Sequence, residues 1–155
     1  MERKLDLTLS GGLLYLRSRA CDDAEFDWGP GNRAQGVAIQ NGLILLDPLS
    51  DEEFGADVIL RTPLRFSADK RAQRTLQLPF TVPEAAELAI GSPEGELPVE
   101  LGLTPGEYTL IFEVCVGHDV FYTFTFVAQA CAEARALRAD GWGLKKDQVL
   151  TPGLF

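Results

Sequence analysis

The sequence predicts an all-β fold, an antiparallel β-sandwich with one short C-terminal helix. Short apolar segments punctuated by Gly, Pro and Asp recur about every 10 to 15 residues, the rhythm of strands and turns in such domains. Several of these segments alternate apolar and polar side chains with the period of two that a half-buried strand requires. From Ala128 the composition shifts to Ala, Glu, Arg and Leu, good helix formers, and Gly141 stands where such a helix would close. At 155 residues the chain suits one core, since two would leave each half near the size at which burial barely offsets chain entropy. The expected division is a β-sandwich over residues 1–127, with a helix and tail over 128–155 packed on the same domain.

Taken in order, Leu5-Asp6-Leu7-Thr8-Leu9 places three leucines on one face, and Leu13-Leu14-Tyr15-Leu16 is its expected neighbour across the turn residues Ser10-Gly11-Gly12. Cys21 to Arg33 reads as a loop rich in Asp, Gly and Pro that carries Trp28 among Asp22, Asp23, Glu25 and Asp27. Gly36 to Ile39 and Leu43 to Leu46 read as a hairpin, with Asn41-Gly42 as a type I′ turn. A second acidic loop, Asp47 to Asp57, contains Asp51, Glu52 and Glu53 and precedes a strand at Val58 to Arg61.

Leu76 to Val82 is apolar at alternate positions, and Pro79 and Pro83 suit an edge or a bend because proline has no N–H to give a ladder. Residues 84–104 read as a strand, a turn at Ser92-Pro93-Glu94-Gly95 and another strand. Pro105-Gly106 leads into Tyr108 to Val116, where Tyr108, Leu110, Phe112, Val114 and Val116 share a face and Glu113 is expected to point outward. Gly117-His118-Asp119 turns the chain into Val120 to Val127, whose Tyr122, Phe124 and Phe126 complete the core. The tail is expected to pack through Trp142 and Leu144 and to be loosely ordered otherwise.

Acidic side chains number 23 against 14 basic ones, a formal charge of −9, which is the wrong sign for neutralising phosphates. Direct nucleic-acid binding is therefore not expected, and basic partners are favoured. The charge is also segregated: Arg61, Arg65, Lys70, Arg71 and Arg74 form a basic stretch, and residues 75–134 then hold nine acids and no Lys or Arg. No uncharged stretch is longer than the 13 residues of Val120 to Ala132, too few for a membrane helix, which needs about 20. Charges at Glu2, Arg3, Lys4 and Asp6 stand where a secretory signal would be apolar, so a cytoplasmic location is expected. Cys21, Cys115 and Cys131 are an odd number and widely spaced, which fits buried thiols in a reducing compartment better than disulfides or zinc ligands.

Catalytic chemistry finds little support. The single histidine, His118, falls in a turn, and no nucleophile elbow, P-loop, dinucleotide fingerprint or zinc-hydrolase helix motif occurs. Asp22-Asp23 and Glu52-Glu53 are adjacent pairs in loops, where neighbouring carboxylates diverge rather than flank a bond. A calcium- or carbohydrate-binding β-sandwich module is the alternative: Asp51, Glu52, Glu53 and Asp57 are hard oxygen donors, and Trp28, Tyr15 and Tyr122 are stacking surfaces. No calcium-loop spacing accompanies them, and no metal or cofactor is expected.

Several landmarks run in a fixed order: Leu7-Thr8-Leu9-Ser10; Asp27-Trp28; Gln35-Gly36-Val37-Ala38 with Gly42-Leu43-Ile44; Leu78-Pro79-Phe80-Thr81-Val82; and Leu103-Thr104-Pro105-Gly106-Glu107-Tyr108-Thr109-Leu110. Together, over residues 5 to 127, they resemble the competence protein J family, whose founding members are small bacterial proteins that inhibit a partner DNA-entry nuclease. Gly11-Gly12-Leu13-Leu14 departs from the family's aromatic and Gln-Phe pattern, and residues from Ala128 onward lie outside the resemblance. The resemblance implies a non-catalytic inhibitor that binds a basic partner protein, a nuclease or a toxin, the latter making it an immunity protein. Nucleases carry basic clefts, so Asp22, Asp23, Glu25, Asp27, Asp51, Glu52 and Glu53 are the expected electrostatic part of the contact, with Trp28 as its buried anchor. Self-association is left open by the sequence.

Overall fold

The structure, a computed structural model, describes residues 1–50, 52–139 and 143–155. In chain order, β1 (Glu2–Leu9) and β2 (Leu14–Arg17) are followed by a single 3-10 turn (Asp23–Phe26) and by α1 (Pro30–Gln35). Then come β3 (Val37–Gln40), β4 (Leu43–Leu46), β5 (Phe54–Arg61), β6 (Ala72–Val82), β7 (Ala89–Ser92) and β8 (Gly95–Pro98). The long pair β9 (Gly106–Val116) and β10 (Val120–Val127) precedes β11 (Arg135–Arg138).

These strands form two sheets, one in the order β1-β5-β10-β9-β6-β11 and one in the order β3-β4-β2-β7-β8. All described pairings are antiparallel except β5 with β10, which run parallel. Alternation decides which side chains go inward. Leu7 and Leu9, Leu76, Leu78 and Phe80, Leu110, Phe112 and Val114, and Tyr122, Phe124 and Phe126 leave the larger sheet, and Leu14, Leu16, Ile44, Leu46 and Ile90 leave the smaller. They meet in one hydrophobic cluster, where the Phe112 ring stacks parallel to Tyr122 and tilts against Phe124. The Tyr122 hydroxyl donates to the Pro48 carbonyl at 2.7 Å, so the ring is buried without an orphaned polar atom. Two serines tie the sheets together: Ser18 Oγ donates to Thr81 O at 2.7 Å and Ser92 Oγ to Thr8 O at 2.6 Å.

Several expectations are corrected. Leu13 to Leu16 does not extend the sheet of Leu5 to Leu9, because Gly11 and Gly12, at φ 65° and 64°, carry the chain across to the other sheet. Both sets of leucines then face one core from opposite sides. The β3–β4 turn has positive φ at Gly42 but not at Asn41, which excludes type I′ and matches the third position of type II. Pro79 sits beyond Thr75–Gln77, the part of β6 that β11 covers, so its missing N–H leaves no gap in a ladder.

The expected C-terminal helix is absent. Residues 128–134 are irregular and Arg135–Arg138 is strand β11, paired with Thr75, Leu76 and Gln77. The flank of β6 away from β9 offers unpaired backbone groups, and satisfying them outweighs the modest helix propensity of an Ala-rich segment. Ala136, Leu144 and Leu150 enter the same core cluster, while Gly141 and Trp142 lie outside the described residues. The tail is not loose either: Thr151, Gly153 and Phe155 are all hydrogen-bonded to side chains of α1. Val116 is exposed rather than buried at the end of its strand, and of the three free thiols only Cys115 is fully buried.

Glu113 does not reach solvent. It lies on the outer face of the larger sheet, fully buried beneath the Thr62–Arg71 segment, which crosses that face as a strap. Glu113 Oε2 accepts from Asp69 N at 3.2 Å and Thr75 Oγ1 at 3.4 Å, and Oε1 accepts from Thr123 Oγ1 at 3.0 Å. Burial raises its pKa, against the pull of those donors. The strap is fixed at its end by the Asp69–Arg71 pair and by the Arg71 guanidinium 4.6 Å from the Phe121 ring centre.

Candidate partner-binding surface

The smaller sheet is apolar on both faces, so its outer face needs a cover. Ala38, Leu43 and Leu45 point away from the main core, and Trp28 lies on them with only 7% of its surface exposed. Phe26 adds an edge-on contact with Tyr15 at 4.9 Å, and the Arg33 guanidinium sits 4.8 Å from the Trp28 ring centre. The acidic loop is thus the lid of a second, small core.

Its conformation is held from beneath. Arg19 makes a two-pronged contact with Glu25, Nη1 to Oε1 at 3.1 Å and Nη2 to Oε2 at 2.5 Å, while Asp22 N donates to Glu25 Oε1 at 3.0 Å. The Arg19 contact and then the Asp22 N–H hold the Glu25 carboxyl down at about 2. Gln40 Nε2 donates to Glu25 O at 2.9 Å, and Arg19 Nε to Asn41 O at 2.6 Å, anchoring the turn over the β3–β4 hairpin tip.

The far end of the loop is pinned by α1. Asn32, fully buried, accepts at Oδ1 from Gly29 N and Phe155 N and donates from Nδ2 to Gly153 O. Gln35 donates to Val37 O and Thr151 O and accepts from Thr151 N. Gly36 ends the helix at φ 81°, where a side chain would collide with the Arg74 guanidinium. The C-terminal segment therefore braces the acidic loop.

With Glu25 engaged by Arg19 and Trp28 facing inward, the carboxylates this loop presents outward are Asp22, Asp23 and Asp27. All three are exposed, and none takes part in an ion pair among the described residues. Glu52 and Glu53 are exposed too, but the register separates them from this loop. The 3-10 turn accepts from Gln40, and Arg19, which holds Glu25, donates to Asn41 O, both at one end of the hairpin, whereas Asp47 follows Leu46 at the other, a strand length of about 13 Å away. Asp51 lies outside the described residues.

A family model described as Competence protein J (ComJ) matches residues 6–127. The chain belongs to the competence protein J family. Two solved structures share its fold. One is ComJ from Bacillus subtilis, described as an inhibitor of the DNA-degrading activity of NucA; its TM-score is 0.68 at 17% identity, over 82% of this chain and 96% of that one. The other, described as crocagin biosynthetic gene J, has a TM-score of 0.56 at 15% identity, over 83% of this chain and 97% of that one. No curated protein matches the chain by sequence. The matched residues take in β1 from Asp6 and every later strand but β11, so the second core under Trp28 falls inside the family region and the bracing tail falls outside it.

Beside the acidic loop, a cleft of about 330 Å³ is lined by Arg17, Ala20, Cys21, Phe26, Glu87 and Glu96. Arg17 meets Glu96 through Nη2 to Oε1 at 2.5 Å and Nε to Oε2 at 3.0 Å, and the Tyr15 hydroxyl donates to Glu96 Oε2 at 2.8 Å. Arg17 pulls the Glu96 carboxyl below its usual range, while burial and then Glu96 push the Tyr15 phenol up to about 12. Glu87 makes no ion pair among the described residues. Glu87 extends the negative surface beyond the residues the sequence singled out, whereas Glu96 is neutralised by Arg17, and the signal for either was only the acid-rich composition of residues 75–134. Among the described residues, no three Asp, Glu, His or Cys side chains are placed to hold a metal ion, and no helix is long and apolar enough to cross a membrane.

Proposed function

We propose that this member of the competence protein J family is a non-catalytic inhibitor that binds and blocks a partner nuclease, its acidic loop entering a basic cleft. Family membership and the shared fold with a protein described as an inhibitor of a DNA-degrading activity support the role. The observation that carries the proposed contact is the set Asp22, Asp23 and Asp27, exposed and without ion pairs on a loop that Arg19, Trp28 and Asn32 hold rigid. Carboxylates fixed in this way on a β-sandwich frame stand in for phosphates without paying ordering entropy on binding. Glu87 widens the same negative surface, and Glu52 and Glu53 form a separate acidic rim.

The test is affinity capture from cells with the tagged chain, followed by a DNA-degradation assay on the purified captured protein. That protein is expected to degrade DNA alone and to stop when the chain is added at equal molar amount. A captured protein that keeps its activity under saturating chain, or has none to lose, overturns the proposal.

A further inference from the structure

Arg65 and Lys70 on the strap and the bases that resume at Arg135 lie more than sixty residues apart in sequence, yet the topology puts them on one face. Strand β11 pairs with β6, and the strap crosses the outer face of the same sheet. Two clefts open between them. One, about 310 Å³, is lined by Leu64, Arg65, Ile111, Val127 and Ala132, and the other, about 430 Å³, by Ala68, Asp69, Ala139, Arg138 and Lys146. Phe66 and Leu137 line both and form the saddle between them.

Three of the four charged side chains lining the two clefts are positive, Arg65, Arg138 and Lys146, while exposed Asp147 follows Lys146 in the chain and Glu133 pairs with Arg135. Asp69 is already held by Arg71, at 3.0 Å. Arg65, Arg138 and Lys146 are exposed and make no ion pair among the described residues, and Lys70 and Lys145 adjoin them in the same state. In a chain of net charge −9, unpaired cations gathered around an apolar floor depart from the overall balance. Leu64, at the edge of the first cleft, is a large apolar side chain that is fully exposed.

We propose that this groove is a docking surface for an acidic peptide segment bearing apolar side chains, supplied by a partner protein. Two apolar side chains of the segment fill the clefts on either side of Phe66 and Leu137, and its carboxylates meet Arg65, Arg138 and Lys146. The proposal is independent of the nuclease-inhibitor reading, because the acidic loop covers the outer face of the other sheet.

The probe is a fluorescein-labelled peptide alternating Glu and Leu, titrated with the full chain and followed by anisotropy, with Lys/Leu and Glu/Ser peptides alongside. The Glu/Leu peptide is expected to bind and the other two are not. Arg138→Glu combined with Lys146→Glu weakens binding about tenfold or more, since each rim charge changes sign. Leu64→Ser weakens it too, and as a fully exposed side chain it leaves the melting temperature unchanged. Equal binding of the Lys/Leu peptide, or indifference to the charge reversals, overturns the proposal. So does sedimentation showing that a second copy of the chain occupies the groove.

Discussion

Replacing Trp28 with alanine separates a side chain that plugs its own fold from one that reaches a partner. Trp28 is 7% exposed and lies on Ala38, Leu43 and Leu45, so the substitution strips the cover from an apolar sheet face. Large-to-small changes of a buried Trp cost about 3–5 kcal/mol. At about 2–4 °C per kcal/mol for a chain of this size, the melting temperature should fall by roughly 6–20 °C. Trp28→Phe keeps most of the packing and should lose less than half as much. Hydrogen exchange should localise the damage, with protection lost at the β3–β4 hairpin and retained in β9 and β10. Dissociation from a captured partner should accelerate for Trp28→Ala, because the loop above it is released, and much less for Trp28→Phe. A Trp28→Ala variant that melts within about 2 °C of the parent chain while dissociating faster would refute the plug and show that the indole leaves its site to make contact.

Converting Asp22, Asp23 and Asp27 together to asparagine should leave the melting temperature unchanged, slow association with the captured partner about tenfold and flatten its salt dependence, as read by surface plasmon resonance. Asn32→Ala orphans buried groups of Gly29, Gly153 and Phe155 and should cost about 2–4 kcal/mol in urea unfolding, placing the tail's bracing role in stability rather than in contact. For Glu113, the folded pKa lies above the unfolded one, so its favourable contribution is complete below about pH 4.5 and is lost as pH rises through the raised value. Glu113→Gln should therefore gain stability relative to the parent chain between pH 5 and pH 8 in parallel denaturant titrations. Glu25 has the opposite sign, its contribution being present above about pH 4.5 and lost as pH falls toward 2, so Arg19→Gln should soften the acid limb of the same profile.

What the sequence disclosed depended on whether an element's partner was local. The alternation in Tyr108 to Val114 and in Tyr122 to Phe126 identified the two central strands and their inward faces, since period-two patterning is written into each segment alone. The same patterning sent Glu113 outward correctly but could not show that a strap from residues 62–71 would bury it. Residues 128–139 read as helix because propensity is local, whereas the need of β6 for a neighbour is not. The Asp22 loop was legible as charge. Its division from Glu52 and Glu53 followed from hairpin register, and its company with Glu87 and Glu96 followed from the pairing of β2 with β7, more than seventy residues away in sequence.

Both sheets carry a cover on their outer faces, an apolar face on the smaller sheet and one holding buried Glu113 on the larger, and the two covers differ in a way that bears on recognition. Over the smaller sheet, the Asp22–Trp28 segment places its aromatics inward and its free carboxylates outward. Over the larger sheet, the strap reverses the signs: it turns a backbone N–H toward buried Glu113 and leaves Arg65 and Lys70 facing solvent. A single rigid cleft of uniformly positive potential complements the first surface and repels the second. Any partner whose basic groove receives the acidic loop therefore approaches from one side of the molecule, and the cationic groove on the other side remains open to an acidic segment at the same time.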